Sequence, residues 1–275
     1  MPSKLPGSNP PSPERPLASY ASVAHVARVY DYLLGGKDNF AADREAAEQA
    51  MRINPDIVST ARANRAFLVR ATTYLAGQAG IRQFLDIGTG MPTNNNIHEV
   101  AQSIAPESRI VYVDHDPIVS THARALLTSA PQGVTDYLEA DLRDPGQILA
   151  EAARTLDFSR PVAIMLFAVL HLILDGDDPY RLVSQLVSAV VPGSYLVISH
   201  AASDIDTGAM ISMANRLNEL MAQPSVPRTR REVAAFFAGL DLIEPGVVRI
   251  PGWRPASVAE SAVRAQMWGG IGRKP

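Results

Sequence analysis

The residues best placed to do chemistry are carboxylates and glycines gathered in three short stretches. In FLDIGTGMPTNNN, residues 84–96, Asp86 precedes Gly88 by two positions and Gly90 follows by two. Glycines so spaced permit a tight turn and a close approach of backbone to a ligand. A helix opening after such a turn offers free N–H groups. In YVDHDP, Asp114 comes 24 residues after Gly90, where an acid can accept hydrogen bonds from a ribose diol. Charge-assisted bonds of that kind contribute roughly 1.5–3 kcal/mol each. EADLRD supplies a third acid, Asp141. Together these residues outline a nucleoside-shaped site.

YDYLLGGKDNF, residues 30–40, raises a rival idea. A glycine pair ahead of Lys37 suggests a phosphate cradle. That motif, however, needs G-x-x-x-x-G-K-[ST] behind a strand. Here the glycines follow a helical run, and Lys37 is followed by Asp38. Gly35 and Gly36 read instead as a helix stop. Lys37, Asn39 and Phe40 then form a polar-aromatic loop able to close over a site. Tyr30 and Asp31 lie one turn earlier, facing the same way. The alternative is a plain inter-helix turn carrying a solvated lysine.

The elements that would position these residues fall into two textures. Residues 20–78 lack strand alternation, and apolar residues at helical spacing predict helices over 19–34, 42–54 and 55–78. From residue 81, strands over 81–87, 109–114, 134–141, 161–167 and 194–200 alternate with helices over 94–104, 116–129, 144–156 and 177–190. That order implies right-handed crossovers and a parallel sheet covered on both faces. Two helices follow, 206–223 and 229–240, the second opened by a Thr229/Glu232 capping box. Residues 241–250 and 262–271 read as late strands.

In the first motif Thr93 stands where a dinucleotide fingerprint would have its third glycine, which argues against an NAD(P)-dependent oxidoreductase. D-x-G-x-G after the first strand, with acids ending the second and third, resembles the class I S-adenosylmethionine-dependent methyltransferases. RVYDYLLGGKDNFAADR, FLDIGTGMPTNNNIHEVAQ, YVDHDPIVSTHARALL and EADLRDP go further. They are similar to an actinobacterial family of S-adenosyl methyltransferases that long carried a domain-of-unknown-function label. One departure is Ile97, where a threonine is expected.

The resemblance implies an α/β, Rossmann-like class I methyltransferase fold. Its mostly parallel seven-stranded sheet would have helices on both faces and an N-terminal helical lid. A flexible tail would span 1–17, the lid 18–78 and the S-adenosylmethionine-binding domain 79–275. It implies S-adenosyl-L-methionine as cofactor and a small-molecule methyl acceptor that it does not identify. Asp86, Gly88, Gly90, Asp114, His115, Asp141, Leu142 and Phe167 are the candidate cofactor residues, joined by Tyr30, Gly36, Lys37 and Asn39 from the lid. Asp114 would take the ribose, Asp141 the adenine amino group with His115 at the adenine edge, and Asp86 the turn or the methionyl ammonium. Asp31 could hold that ammonium or offset the sulfonium, and Lys37 could meet a carboxylate. A module that binds the cofactor without turning it over has the same sequence, since methyl transfer needs no signature catalytic residue.

The catalytic candidates are His171, after the fourth strand, with Tyr30 and Asp31. His200, ending the fifth strand, has the same two readings as His171: acceptor-side base or half-buried structural histidine. Met210, Met213, Leu217, Leu220 and Met221 form a stripe that reads as core or as the wall of an apolar acceptor pocket. DDPY, 177–180, is similar to the D-P-P-Y of amino-methylating DNA enzymes, but it starts about ten residues too late; it reads better as a helix cap. DGDD, 175–178, lacks the calcium-loop pattern, so no metal is expected.

Composition narrows the class. The 275 residues are 47% apolar and 19% charged, with a net charge of -3. That is globular, without a bulk basic field for nucleic acid. The absence of cysteine excludes disulfides, Cys-ligated zinc and a thiolate nucleophile, and fits a reducing, cytoplasmic setting. The Pro/Ser-rich start has no apolar core of a signal peptide. PVAIMLFAVLHLIL, 161–174, is too short to span a bilayer. No membrane or nucleic-acid partner is expected; a homo-oligomer is possible through the helical N-terminal region.

Overall fold

The runs read as strands extend because both of their faces are covered. In β1 (Gln83–Ile87), β2 (Arg109–Asp114), β3 (Val134–Glu139), β4 (Ala163–Phe167) and β5 (Tyr195–Ala201), side chains alternate between two cores. Phe84, Ile110, Tyr112, Met165 and Val197 enter one core. Leu85, Val111, Val113, Ile164, Leu166 and Ile198 enter the other. The structure is a computed structural model and describes residues 21–126 and 129–275. The tail expected at 1–17 lies outside the described residues.

The strands form a mixed sheet in the order β3-β2-β1-β4-β5, continued by β8 (Met267–Arg273) and then β6 (Asp241–Leu242). β1 through β5 pair in parallel, and β8 runs antiparallel to β5. The two late strands depart from expectation. Residues 241–250 are broken around Pro245 and Gly246 into β6 (Asp241–Leu242) and β7 (Val248–Arg249), each paired with β8. The sheet therefore has eight strands rather than seven. The order reverses between β1 and β4, so a crevice opens at their carboxyl ends, where open α/β sheets bind ligands.

Ahead of the sheet, the described residues include the helices α1 (Val26–Leu34), α2 (Ala41–Ile53) and α3 (Ile57–Thr73). α1 begins at Val26, inside the run 19–34 that the periodicity predicts, where the His25 ring accepts from Ala27 N and caps it. α3 belongs to the sheet's own core: Phe67 and Ala71 are fully buried against it, and Phe67 meets Phe167 edge-on at 5.6 Å. α1 and α2 pack through Val29, Leu33, Ala46 and Ala47 against Leu217 and Leu220. A buried ion pair, Arg28 Nε to Asp43 at 2.8 Å, locks α1 to α2. The His25 ring lies 3.1 Å from Asp116, in the turn after β2. The helical cap is thus tied to the carboxyl edge it overhangs.

On the sheet come α4 (Ile97–Ile104), α5 (Pro117–Leu126), α6 (Pro145–Ala152), α7 (Pro179–Ser188), α8 (Thr207–Leu220), α9 (Arg230–Ala235) and α10 (Val258–Ser261). Asn96 N donates to Glu99 at 2.7 Å, which starts α4 after the asparagines rather than among them. Asp178 accepts from Arg181 N at the start of α7, and Thr229 with Glu232 caps α9. The oily stretch 161–174 is β4 and the turn behind it. Among the described residues, no helix is long and apolar enough to cross a membrane.

Candidate active site

A cavity of about 220 Å³ lies over the carboxyl ends of β1, β2 and β4, roofed by α1, α3 and α8. Its floor is the glycine turn. Gly88 sits at φ +80° and donates its N–H to Val113 O at 2.8 Å. A Cβ at Gly88 would meet Val169 Cγ2 at 2.4 Å, so no side chain fits between β1 and the chain leaving β4. Gly90, at φ +67°, donates to Asp114 Oδ2 at 2.8 Å, while Asp116 N donates to Oδ1 at 3.0 Å. Two backbone donors therefore aim the Asp114 carboxylate, and each oxygen keeps acceptor capacity for a ligand hydroxyl.

Asp86 also lines the cavity and is 5% exposed. Burial pushes its carboxyl up to about 7, against the opposing pull of the Arg65 guanidinium and of Thr89, with Asp114 raising it further. Among the described residues it forms no ion pair. A buried carboxylate short of a cation, next to a glycine turn and an aimed second carboxylate, suits a ligand bearing both an ammonium and a ribose.

The other end of the cavity is apolar. Leu33, Ile57, Met210, Met213, Leu217 and Met221 line it and share side-chain clusters with α1 and α2. Met210 and Met213 also pack on Ala50. The polar groups here are already paired. Thr60 Oγ1 donates to Gln266 Oε1 at 2.8 Å, and Asn54 Nδ2 to the same oxygen at 3.3 Å. Asn54 Nδ2 also lies 3.4 Å from Met210 Sδ. The charged lining residues, Arg65, Asp86 and Asp114, belong to the glycine-turn end.

Of the predicted site residues, Asp86, Gly88, Gly90, Asp114, His115, Phe167, Tyr30 and His171 line the cavity. Tyr30 is anchored there: its hydroxyl donates to Ala61 O at 3.1 Å and accepts from Asn64 Nδ2 at 2.9 Å, and burial raises its pKa. That leaves it little scope as a free base. His115 bonds to Gln223. The His171 Nδ1 is buried without a hydrogen-bond partner among the described residues, and burial with the nearby Arg228 lowers the ring to about 4. His200 is sealed beneath it, bonded to Arg228 at 3.0 Å and stacked on Phe236, and does not reach the cavity.

Six candidates lie outside the cavity wall. The Asp31 carboxylate turns into its own loop, accepting from Asp38 N at 2.9 Å and Asn39 Nδ2 at 2.8 Å. Gly36 packs so tightly on that carboxylate that a Cβ would lie 1.9 Å from Oδ1. With Asp31 so engaged, Asn39 and Gly36 brace the turn, and Lys37 is exposed. Asp141 stands beyond β3, in an exposed pair with Arg143 at 3.2 Å, and Leu142 is buried in the core that holds Leu85 and Val111. In the 175–178 loop, Asp175 meets Arg228, Asp177 meets Arg143 and Asp178 caps α7.

Sequence reasoning missed Arg65, His25 and Asn64, all in the cavity wall. All three come from the N-terminal helical segment, where the pattern marks an amphipathic face but not what that face meets.

Comparison with known proteins agrees with this geometry. A family described as S-adenosyl methyltransferase matches residues 15–275. A crystal structure of a DUF574 family protein from Streptomyces avermitilis is 45% identical, with a TM-score of 0.90 over 93% of this chain and 99% of that one. A candidate methyltransferase from Thermobifida fusca is 43% identical, with a TM-score of 0.86 over 96% and 99% of the two chains. No curated protein matches the chain significantly.

Proposed function

This chain belongs to the S-adenosyl methyltransferase family and is an S-adenosylmethionine-dependent methyltransferase; from that premise we propose that its acceptor is a small, largely apolar molecule. The observation that carries the reading is the division of the cavity. Carboxylates and a guanidinium stand at the glycine turn, while methionines and leucines with no unpaired charge stand at the other end.

The residues present fit the cofactor. Asp114, aimed by Gly90 and Asp116, would accept from the ribose hydroxyls. Asp86 would pair with the methionyl ammonium and become fully ionised in doing so. Phe167 and His115 border the same space. When bound, S-adenosylmethionine supplies a methyl group already activated by its sulfonium.

The protein's part is then to hold the acceptor in line and exclude water, which can contribute up to ~7–11 kcal/mol. The Met210, Met213, Leu217 and Met221 wall does both, because flexible thioethers mould to an apolar surface. His171, with its ring at about 4, stays neutral at physiological pH. It can orient a polar group of the acceptor by a hydrogen bond but is a weak base. The acceptor should therefore be nucleophilic without strong general-base assistance.

The test pairs binding with turnover. Titration calorimetry of wild type and Asp114→Ala with S-adenosylhomocysteine should show at least tenfold weaker binding by the variant. A panel of small neutral aromatic and aliphatic nucleophiles should accept methyl groups better than charged ones. Equal binding by the variant, or a preference for charged acceptors, would overturn the assignment.

A further inference from the structure

The cavity has one cation whose task the cofactor reading leaves open. Arg65, on α3, is the only lysine or arginine in the cavity lining among the described residues. Its Nη2 donates to Asn94 O at 3.1 Å and Asn95 O at 3.0 Å, in the loop between the glycine turn and α4. Among the described residues nothing accepts from its Nε or Nη1. The other cations nearby are committed or turned away. Arg28 is buried on Asp43, Arg228 is held by Leu170 O, Ile173 O and Asp175, and Lys37 is exposed outside the wall. Arg65 is also the cation whose field acts most on Asp86.

An α-amino acid terminus carries an ammonium and a carboxylate a few ångströms apart. A site that binds it needs an anion and a cation at similar spacing, and a guanidinium can engage a carboxylate through two N–H groups at once. Asp86 and Arg65 supply one charge of each sign to the same cavity, with Arg65 held to the loop that follows the glycine turn. We propose that Arg65 receives the carboxylate of the methionyl end of the cofactor, opposite the ammonium held by Asp86. This rests on the cofactor reading above. It also assigns a reason for the helical cap: α3 supplies a binding group that the sheet itself lacks.

The experiment compares two ligands that differ at that end. S-adenosylhomocysteine carries the amino-acid group, and 5'-methylthioadenosine carries the same nucleoside and thioether without it. Binding of both is titrated by calorimetry to wild type, Arg65→Gln and Arg65→Lys, with thermal unfolding recorded for each. Glutamine keeps an amide able to donate to Asn94 O and Asn95 O. The expected result is a loss of at least tenfold for S-adenosylhomocysteine in R65Q, a change below twofold for methylthioadenosine, and partial recovery in R65K. Equal losses for both ligands would make Arg65 a brace of the loop, and no loss for either would leave it without a part in binding; both outcomes overturn the proposal. A wild-type protein that binds methylthioadenosine and S-adenosylhomocysteine equally well also overturns it, and one that binds neither overturns the cofactor assignment beneath it.

Discussion

Two glycine turns, Gly35–Gly36 and Gly88–Gly90, look alike in sequence and differ in what surrounds them. Each follows a regular element, each has a left-handed glycine, and each has an aspartate nearby. At the first turn the aspartate is consumed: Asp31 accepts from Asp38 and Asn39 of its own loop. Gly35, at φ +87°, has nothing within 4 Å of where a Cβ would stand. At the second turn Asp86 forms no ion pair among the described residues, and Asp114 is aimed at a cavity rather than closed into its loop. Gly88 is wedged against Val169. The lesson is that a glycine and an acid mark a ligand site only when local hydrogen bonds leave the acid's capacity over.

The largest effect should come from Gly88→Ala. A methyl group there meets Val169 in the left-handed region, so strain and overpacking should lower stability by about 2–4 kcal/mol. Binding of S-adenosylhomocysteine should fall below detection. Wild-type stability in urea melts, with retained binding, would break the contrast between the turns.

Next comes the pH dependence written into Asp86. Its carboxyl is raised to about 7, so in the free protein it holds a proton over a range where the unfolded chain does not. Free-protein stability should accordingly fall as pH rises from the ordinary carboxylate range to about 7, and level off above. Ligand binding should run the other way, because the ammonium requires the ionised form. The ionised fraction rises roughly tenfold between pH 6 and pH 8, so affinity for S-adenosylhomocysteine should rise by about that factor, with proton release near neutrality. Asp86→Asn should flatten the profile; a wild-type profile already flat would remove Asp86 from the site.

The smallest effect should come from Gly35→Ala. Only the left-handed backbone is at stake there, about 1 kcal/mol of stability, and cofactor affinity should stay within twofold. A tenfold loss of affinity would show that the first turn does reach the ligand, and would bring Lys37 and Asn39 back into the site.

Sequence legibility followed the same division. The strand order, the glycine turn and the paired acids could be read because each is contiguous in the chain. Topology, moreover, brings every parallel strand end to one edge. Arg62, Arg65 and Arg70 show where reading stopped. They share one helix and one residue type, yet Arg62 is exposed, Arg65 lines the cavity and Arg70 donates to Trp253 O and Ile250 O. At about 100° per residue they stand roughly 60° to 140° apart around α3, and what each direction meets is set by how the helix docks. His171 and His200 diverged in the same way, one reaching the cavity and one sealed under Arg228.

By itself, the sequence determined the two-sided parallel sheet and the glycine turn after its first strand, because period-two burial and glycine's backbone freedom act over a few consecutive residues. Tertiary structure alone decided which charges face the cavity, that Asp31 serves its own loop, and that methionines of α8 form a wall. Those outcomes depend on how separate helices dock, and docking is settled by contacts among residues far apart in the chain.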